Sequence, residues 1–306
     1  MKWNKQGHIY VPDGSMPWAK RYAFPPTPYF IAPDVIRMYV AFCDDATVGR
    51  IGYVDISAEN PREVIGVSPR PVLDIGTPGA FDENGILPTA VLDVGDQIYL
   101  YYVGYQLGMK VRYYQFEGLA VSDDGGNSFT RRLKVPVTDR SDAEMLNRTS
   151  AYVRRRAGGD FEMWYVGGSE WTEVAGKALP VYNIKHMTSP DGIAWPPQGR
   201  VCIDYESADE HAFGKPFVFE HDGLSRMIYS VRTRSKGYRL GYAESRDGET
   251  WTRKDSEVGI DVSESGWDSE MIAYACVVRY KERVYLFYNG NNLGATGFGY
   301  AELEHW

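Results

Sequence analysis

Apolar residues come in short runs broken by Gly, Asp and Pro, and helical spacing is absent along the chain. Five runs share one pattern: Met38-Tyr39-Val40, Leu100-Tyr101-Tyr102, Met163-Trp164-Tyr165, Met227-Ile228-Tyr229 and Leu286-Phe287-Tyr288. Their first residues stand 62, 63, 64 and 59 positions apart, a repeat long enough for four strands per unit. A third strand recurs behind them, at Ile51–Val54, Glu117–Ala120, Lys185–Thr188, Leu240–Ala243 and Phe298–Ala301. In three repeats it runs into a Ser–Asp–Gly turn and a fourth strand, starting at Ser122, Ser189 and Ser245. Asp-Gly supplies the positive φ that a tight hairpin demands. The copy from Ser122 (Ser122, Asp124, Gly126, Ser128, Phe129) matches the Asp-box turn pattern and reads as a structural hairpin.

The fifth repeat stops after its third strand, while Trp3-Asn4-Lys5 copies the fourth-strand pattern Trp251-Thr252-Arg253. The expected fold is therefore all-β: one five-bladed β-propeller domain over residues 1–306, its ring closed by the N-terminal strand completing blade five. Closure removes an exposed sheet edge. Two β-sandwiches would leave the complementarity of the two chain ends without a cause.

Composition narrows the function. Forty-one acidic against thirty-three basic residues give a net charge of −8, which argues against a nucleic-acid partner. The opening stretch lacks the apolar core of a signal peptide, and the chain has no apolar run that would span a bilayer, so a cytoplasmic location is expected. Three widely spaced cysteines and five scattered histidines imply neither a disulfide framework nor a metal site, and no cofactor is expected. The 23 tyrosines and 8 tryptophans fit many short aromatic strands.

Chemistry in such a ring is expected at the channel mouth, where the inner strands begin. The carboxylates Asp82, Glu144 and Glu210 each lie six residues ahead of an inner-strand start in three successive blades, and Asp268 and Glu270 precede the fifth. Clustered carboxylates push their pKa values apart, and cleavage of a glycosidic bond needs such a pair. Glu210 is read as proton donor, Asp82 as base or nucleophile, Glu144 as the tuning group, and Glu270 as a catalytic reserve. Arg21, Arg148, Trp171, Lys215, Arg232, Asp268 and Asn289 are read as substrate-binding, because rings stack on sugar faces while amides and cations bind hydroxyls or anions.

With these residues in view, the chain resembles the five-bladed propeller glycosidases of glycoside hydrolase families 43, 32 and 68, closest to a bacterial branch linked to surface-polysaccharide synthesis. The turn SRDGETW and the stretches from Gly79 (GAFDENGILP), Val137 (VTDRSDAE) and Gly266 (GWDSEMIAY) carry the likeness. It implies a carbohydrate or sugar-nucleotide ligand and carboxylate chemistry. Family 43 places its general base at the start of the first inner strand, where this chain has Thr27. The expected function is a glycoside hydrolase. A catalytically silent glycan-binding or scaffold propeller, or a glycosyl-transferring enzyme, are the alternatives.

Overall fold

A computed structural model describes residues 1–306. Nearly all regular structure is strand. The first strand, β1 (Lys2–Tyr10), stands apart from its neighbours in sequence. Four groups then follow in order. They are β2 (Arg21–Ala32), β3 (Val35–Cys43), β4 (Gly49–Ser57) and β5 (Val64–Val67); β6 (Ile86–Val94), β7 (Gln97–Leu107), β8 (Tyr113–Ser122) and β9 (Thr130–Arg131); β10 (Asn147–Arg155), β11 (Phe161–Val174), β12 (Lys177–Ser189) and β13 (Arg200–Ile203); and β14 (Glu210–His221), β15 (Leu224–Thr233), β16 (Arg239–Ser245) and β17 (Thr252–Arg253). The last three are β18 (Ala273–Tyr280), β19 (Arg283–Asn289) and β20 (Phe298–His305).

Within each group consecutive strands pair antiparallel. The last group takes its fourth strand from the other end of the chain: β1 pairs antiparallel with β20, giving the order β1-β20-β19-β18. The first strands β2, β6, β10, β14 and β18 each touch the next, and β18 touches β2. Short parallel pairings, β8 with β10 and β12 with β14, join successive groups. No helix is long and apolar enough to cross a membrane.

The repeated aromatic runs lie on the second strands β3, β7, β11, β15 and β19, which are buried along most of their length. A strand covered on both faces cannot alternate apolar with polar residues, which is why these runs are continuous. Their rings also reach the next group's turn. Tyr39 donates to Gly126 O at 2.7 Å, Tyr101 to Gly192 O at 2.6 Å, and Trp164 Nε1 to Gly248 O at 3.3 Å. Tyr285 closes the series on Ala58 O at 3.0 Å.

Those turns have the expected Asp-box chemistry. Ser122 Oγ donates to Asp124 Oδ1 (2.7 Å), which also accepts the amides of Asn127 and Ser128 (both 3.0 Å), while Gly125 and Gly126 take φ of 73° and 82°. The box is a hairpin clamp that presents a carbonyl to its neighbour.

Candidate functional site

All five first strands slip register near their beginnings: between Phe24 and Thr27, Pro88 and Ala90, Thr149 and Tyr152, Gly214 and Phe217, and Ala273 and Cys276. A bulge leaves a residue unpaired and re-aims its side chain. Ser150, Lys215 and Tyr274 at these slips hold φ of 55°, 29° and 57°, a strained region for side-chain-bearing residues. The result is one small cavity of about 40 Å³, lined by a bulge residue from every group: Pro25, Thr89, Ser150, Lys215 and Tyr274. Lys215 is the only charged residue in its lining.

This floor opens past Leu87, Tyr105 and Tyr274 into a cavity of about 290 Å³. That cavity in turn shares Tyr22, Leu179, Arg232 and Leu293 with a third of about 530 Å³. Together they form a funnel at the starts of the first strands, its walls formed by Tyr22, Phe24, Tyr105, Tyr113, Tyr238 and Tyr274 with Arg112, Arg232, Arg234, Lys236 and Glu270. Burial pushes the Tyr105, Tyr113 and Tyr274 hydroxyls upward, so they remain protonated and can both donate and accept. A larger hollow of about 970 Å³ lies at the far ends of β2 and β18, between Phe30–Asp34 and Arg279–Lys281, away from the converging loops.

Of the residues read from the sequence, Glu270, Arg232 and Lys215 line this funnel. The others do not line it. Asp82 is fully buried, accepting from Arg131 Nε (2.7 Å) and the Tyr102 hydroxyl (3.0 Å). Glu144 is fully buried between Arg148 Nε (2.8 Å), Lys185 Nζ (2.5 Å) and the Tyr165 hydroxyl (2.8 Å), so Arg148 serves this pair and not a ligand. Glu210 takes both amino groups of Arg253, at 2.8 and 3.0 Å. Partial burial pushes its carboxyl up, but Arg253 prevails and holds it below the usual range, so it is no proton donor near neutrality. Asp268 accepts from Lys5 (2.7 Å) and the Tyr288 hydroxyl (2.9 Å).

These acids share an ion-paired role. In three groups an acid ahead of the first strand (Asp82, Glu144, Asp268) meets the tyrosine that ends the aromatic run and a cation from the same sheet. In the fourth, Glu210 at the start of β14 and Asp255 share Arg253, and Asp255 meets Tyr229. The first group has Val40 in place of that tyrosine.

Arg21 braces a surface turn through Asp45 O (2.6 Å), and it is the adjacent Tyr22 that enters the funnel. Asn289 is buried and donates to Ala23 O and Gly297 O, both at 2.8 Å. Trp171 packs edge-on to Tyr113 at 5.3 Å, backing the wall with its Nε1 buried and unpartnered. The sequence reading missed Arg112, Tyr113, Tyr182, Tyr238 and Tyr274, whose positions depend on bulges and loop paths with no local signature.

It also missed Glu117 on β8. This carboxyl is buried, accepting from the Thr89 hydroxyl and from the Ala151 amide at 3.3 Å. Desolvation raises its pKa to about 8 against those hydrogen bonds, while desolvation lowers Lys215, bonded to Pro26 O (2.6 Å) and Thr27 Oγ1 (3.0 Å), to about 8. Because the folded state prefers protonated Glu117, its stabilising contribution is full below the ordinary value of 4.5 and is lost as pH rises through about 8. Glu117→Gln is thus expected to melt increasingly above the wild type as pH climbs from about 5 to about 9. Parallel melting curves across that window would remove the assignment.

No family model matches the chain. An uncharacterized protein of Mycobacterium tuberculosis, Rv1502, is 33% identical over 305 residues, covering 100% of both chains. Among solved structures, a glycoside hydrolase superposes with a TM-score of 0.74 at 18% identity, over 98% of this chain and 90% of its own. A thermostable family-43 glycoside hydrolase does so with a TM-score of 0.65 at 15% identity, over 96% and 91%. These likenesses agree with the all-β groups: the chain belongs to the same family as the mycobacterial protein Rv1502 and carries the propeller fold of the glycoside hydrolases.

Proposed function

We propose that this chain is a single-domain, five-bladed propeller closed by β1, and a carbohydrate-active enzyme that holds a saccharide in its axial funnel and cleaves or transfers a glycosidic bond there. The cyclic contacts of the five first strands and the β1–β20 pairing support the ring. The reading is carried by one observation: aromatic rings and hydrogen-bonding groups from all five blades converge on the funnel, and Glu270 is the one carboxylate lining it. Ring faces stack on a pyranose while the tyrosine hydroxyls and arginines address its hydroxyls. Glu270 is exposed at the mouth, its amide fixed by Asn291 Oδ1 at 2.8 Å, and is assigned the proton transfer to the leaving oxygen. A bacterial glycan or sugar nucleotide handled in the cytoplasm during polysaccharide synthesis is the substrate class this reading favours.

Glu270→Gln is expected to lower turnover of an activated aryl glycoside or a sugar nucleotide by about 10²-fold or more, with saccharide binding and melting temperature retained. Equal turnover by variant and wild type would remove Glu270 from the chemistry. A second reading, saccharide binding without cleavage, is favoured by a specific observation: the funnel lining holds one carboxylate where hydrolysis uses two. It expects binding with no turnover by the wild type over a broad glycoside panel.

A further inference from the structure

We propose that the saccharide is acidic, and that Arg232 receives its carboxylate or phosphate group; this rests on the funnel being a saccharide site. The protein carries a net −8, yet the funnel reverses the sign. Arg112, Arg232, Arg234 and Lys236 line its upper cavities and Lys215 its floor, against Glu270 alone. None of these five cations has a carboxylate oxygen within 4.0 Å.

Arg232 makes the case specific. It is half-buried at the junction of the two upper cavities, its guanidinium 5.4 Å from the Tyr238 ring centroid, with no hydrogen-bond acceptor in the protein. A guanidinium has five N–H donors, and those of Arg232 are not among the solvent-inaccessible unpartnered atoms, so they face the open funnel, free for a ligand. The protein's more deeply buried guanidiniums are matched within the fold: Arg37 grips Asp55 at 2.8 Å through two nitrogens, and Arg253 grips Glu210. A neutral sugar hydroxyl would accept one bond and leave the charge uncompensated. A carboxylate or phosphate on the sugar offers two oxygens to the planar fork and neutralises it.

The test is titration calorimetry of the full-length protein with matched neutral and acidic sugars (glucose, glucuronate and glucose 1-phosphate; galactose and galacturonate) and with inorganic phosphate. An acidic member is expected to bind about tenfold or more tightly than its neutral partner, and more tightly than inorganic phosphate. Preference for the uronates assigns a carboxylate, and preference for the sugar phosphate assigns a phosphate. Arg232→Gln should erase the difference with little change in melting temperature, because the only protein contact the guanidinium gives up is that with the Tyr238 ring, and Arg232→Lys should restore only part of it. Arg155→Gln, at an exposed arginine bonded to Gly159 O, serves as control and should change nothing. Neutral and acidic sugars binding alike would overturn the proposal and leave the saccharide site standing. Inorganic phosphate binding as tightly as the sugar phosphate would overturn it as well. Binding of no sugar at all would remove both.

Discussion

Glu144→Ala is expected to lower the unfolding free energy by about 3–5 kcal/mol, a fall of roughly 6–10 °C in melting temperature. The carboxylate is fully buried and compensates two cations, Arg148 and Lys185, whose side chains are 4% and 9% exposed. Removing it strands both positive charges where water cannot reach them, and that cost exceeds the loss of the contacts themselves. Arg148 keeps Asp139 O (2.8 Å) and Pro196 O (2.6 Å), but neutral carbonyls do not cancel its charge. Replacing Lys185 by Met in the same background should recover part of the loss, since one of the two orphaned charges then disappears. Denaturant titrations of the single and double variants measure both effects. A catalytic Glu144 would behave in the opposite way, with activity abolished and an unchanged melt, and that result would return it to the chemistry.

Removal of residues 1–10 is expected to have the larger consequence: self-association through the uncovered β20 edge. Strand β1 covers the edge of β20 along Lys2–Tyr10, buries Trp3 to 6% exposure with its Nε1 on Val258 O at 2.9 Å, and brings Lys5 to Asp268. Without it, β20 presents a row of unpaired amides and carbonyls, and Asp268 becomes a buried charge with no cation. Such an edge pairs with whatever strand is near, so species larger than the full-length protein should appear on size exclusion. A synthetic peptide of residues 1–11 supplied during refolding should restore the full-length elution by adding back the missing strand. A truncated protein that elutes as the full-length one does, with β20 amides as protected from hydrogen exchange as before, would show that β1 is not what completes the fifth group.

These two expectations separate what recurs in the repeat from what does not. Asp82, Glu144 and Glu210 stand out in the sequence because they share an offset from the expected strand starts, but the observed first strands begin at Ile86, Asn147 and Glu210, so the spacing is not kept. What the three acids do share is an ion pair with a cation of their own sheet. A single binding site, as proposed for the funnel, makes no such repeated demand. At the bulges that line its floor the residues diverge, to Pro25, Thr89, Ser150, Lys215 and Tyr274, and only one of them is charged. Divergent residues at bulges give no periodic signal, so Lys215 could be singled out only by its type and Tyr274 escaped notice. Glu117 escaped for a related reason: within Glu117-Gly118-Leu119-Ala120 it reads as an ordinary strand residue, and its burial comes from β6 and β10 closing over it.

From the amino-acid order alone came the all-β class, the repeat of about sixty residues, the Asp-Gly clamps and the pairing of the first strand with the last. Each is written in local spacing, because strand period and turn chemistry act over a few residues. Only the tertiary structure decided which charges face one another and which face the funnel. It placed Asp82 and Glu144 in buried pairs, left Arg232 without an acceptor, and set Glu270 at the funnel. The physical reason is that a charge is defined by its surroundings. Burial and partners up to 263 residues away, as for Lys5 and Asp268, decide whether a carboxylate supports the framework or meets a ligand.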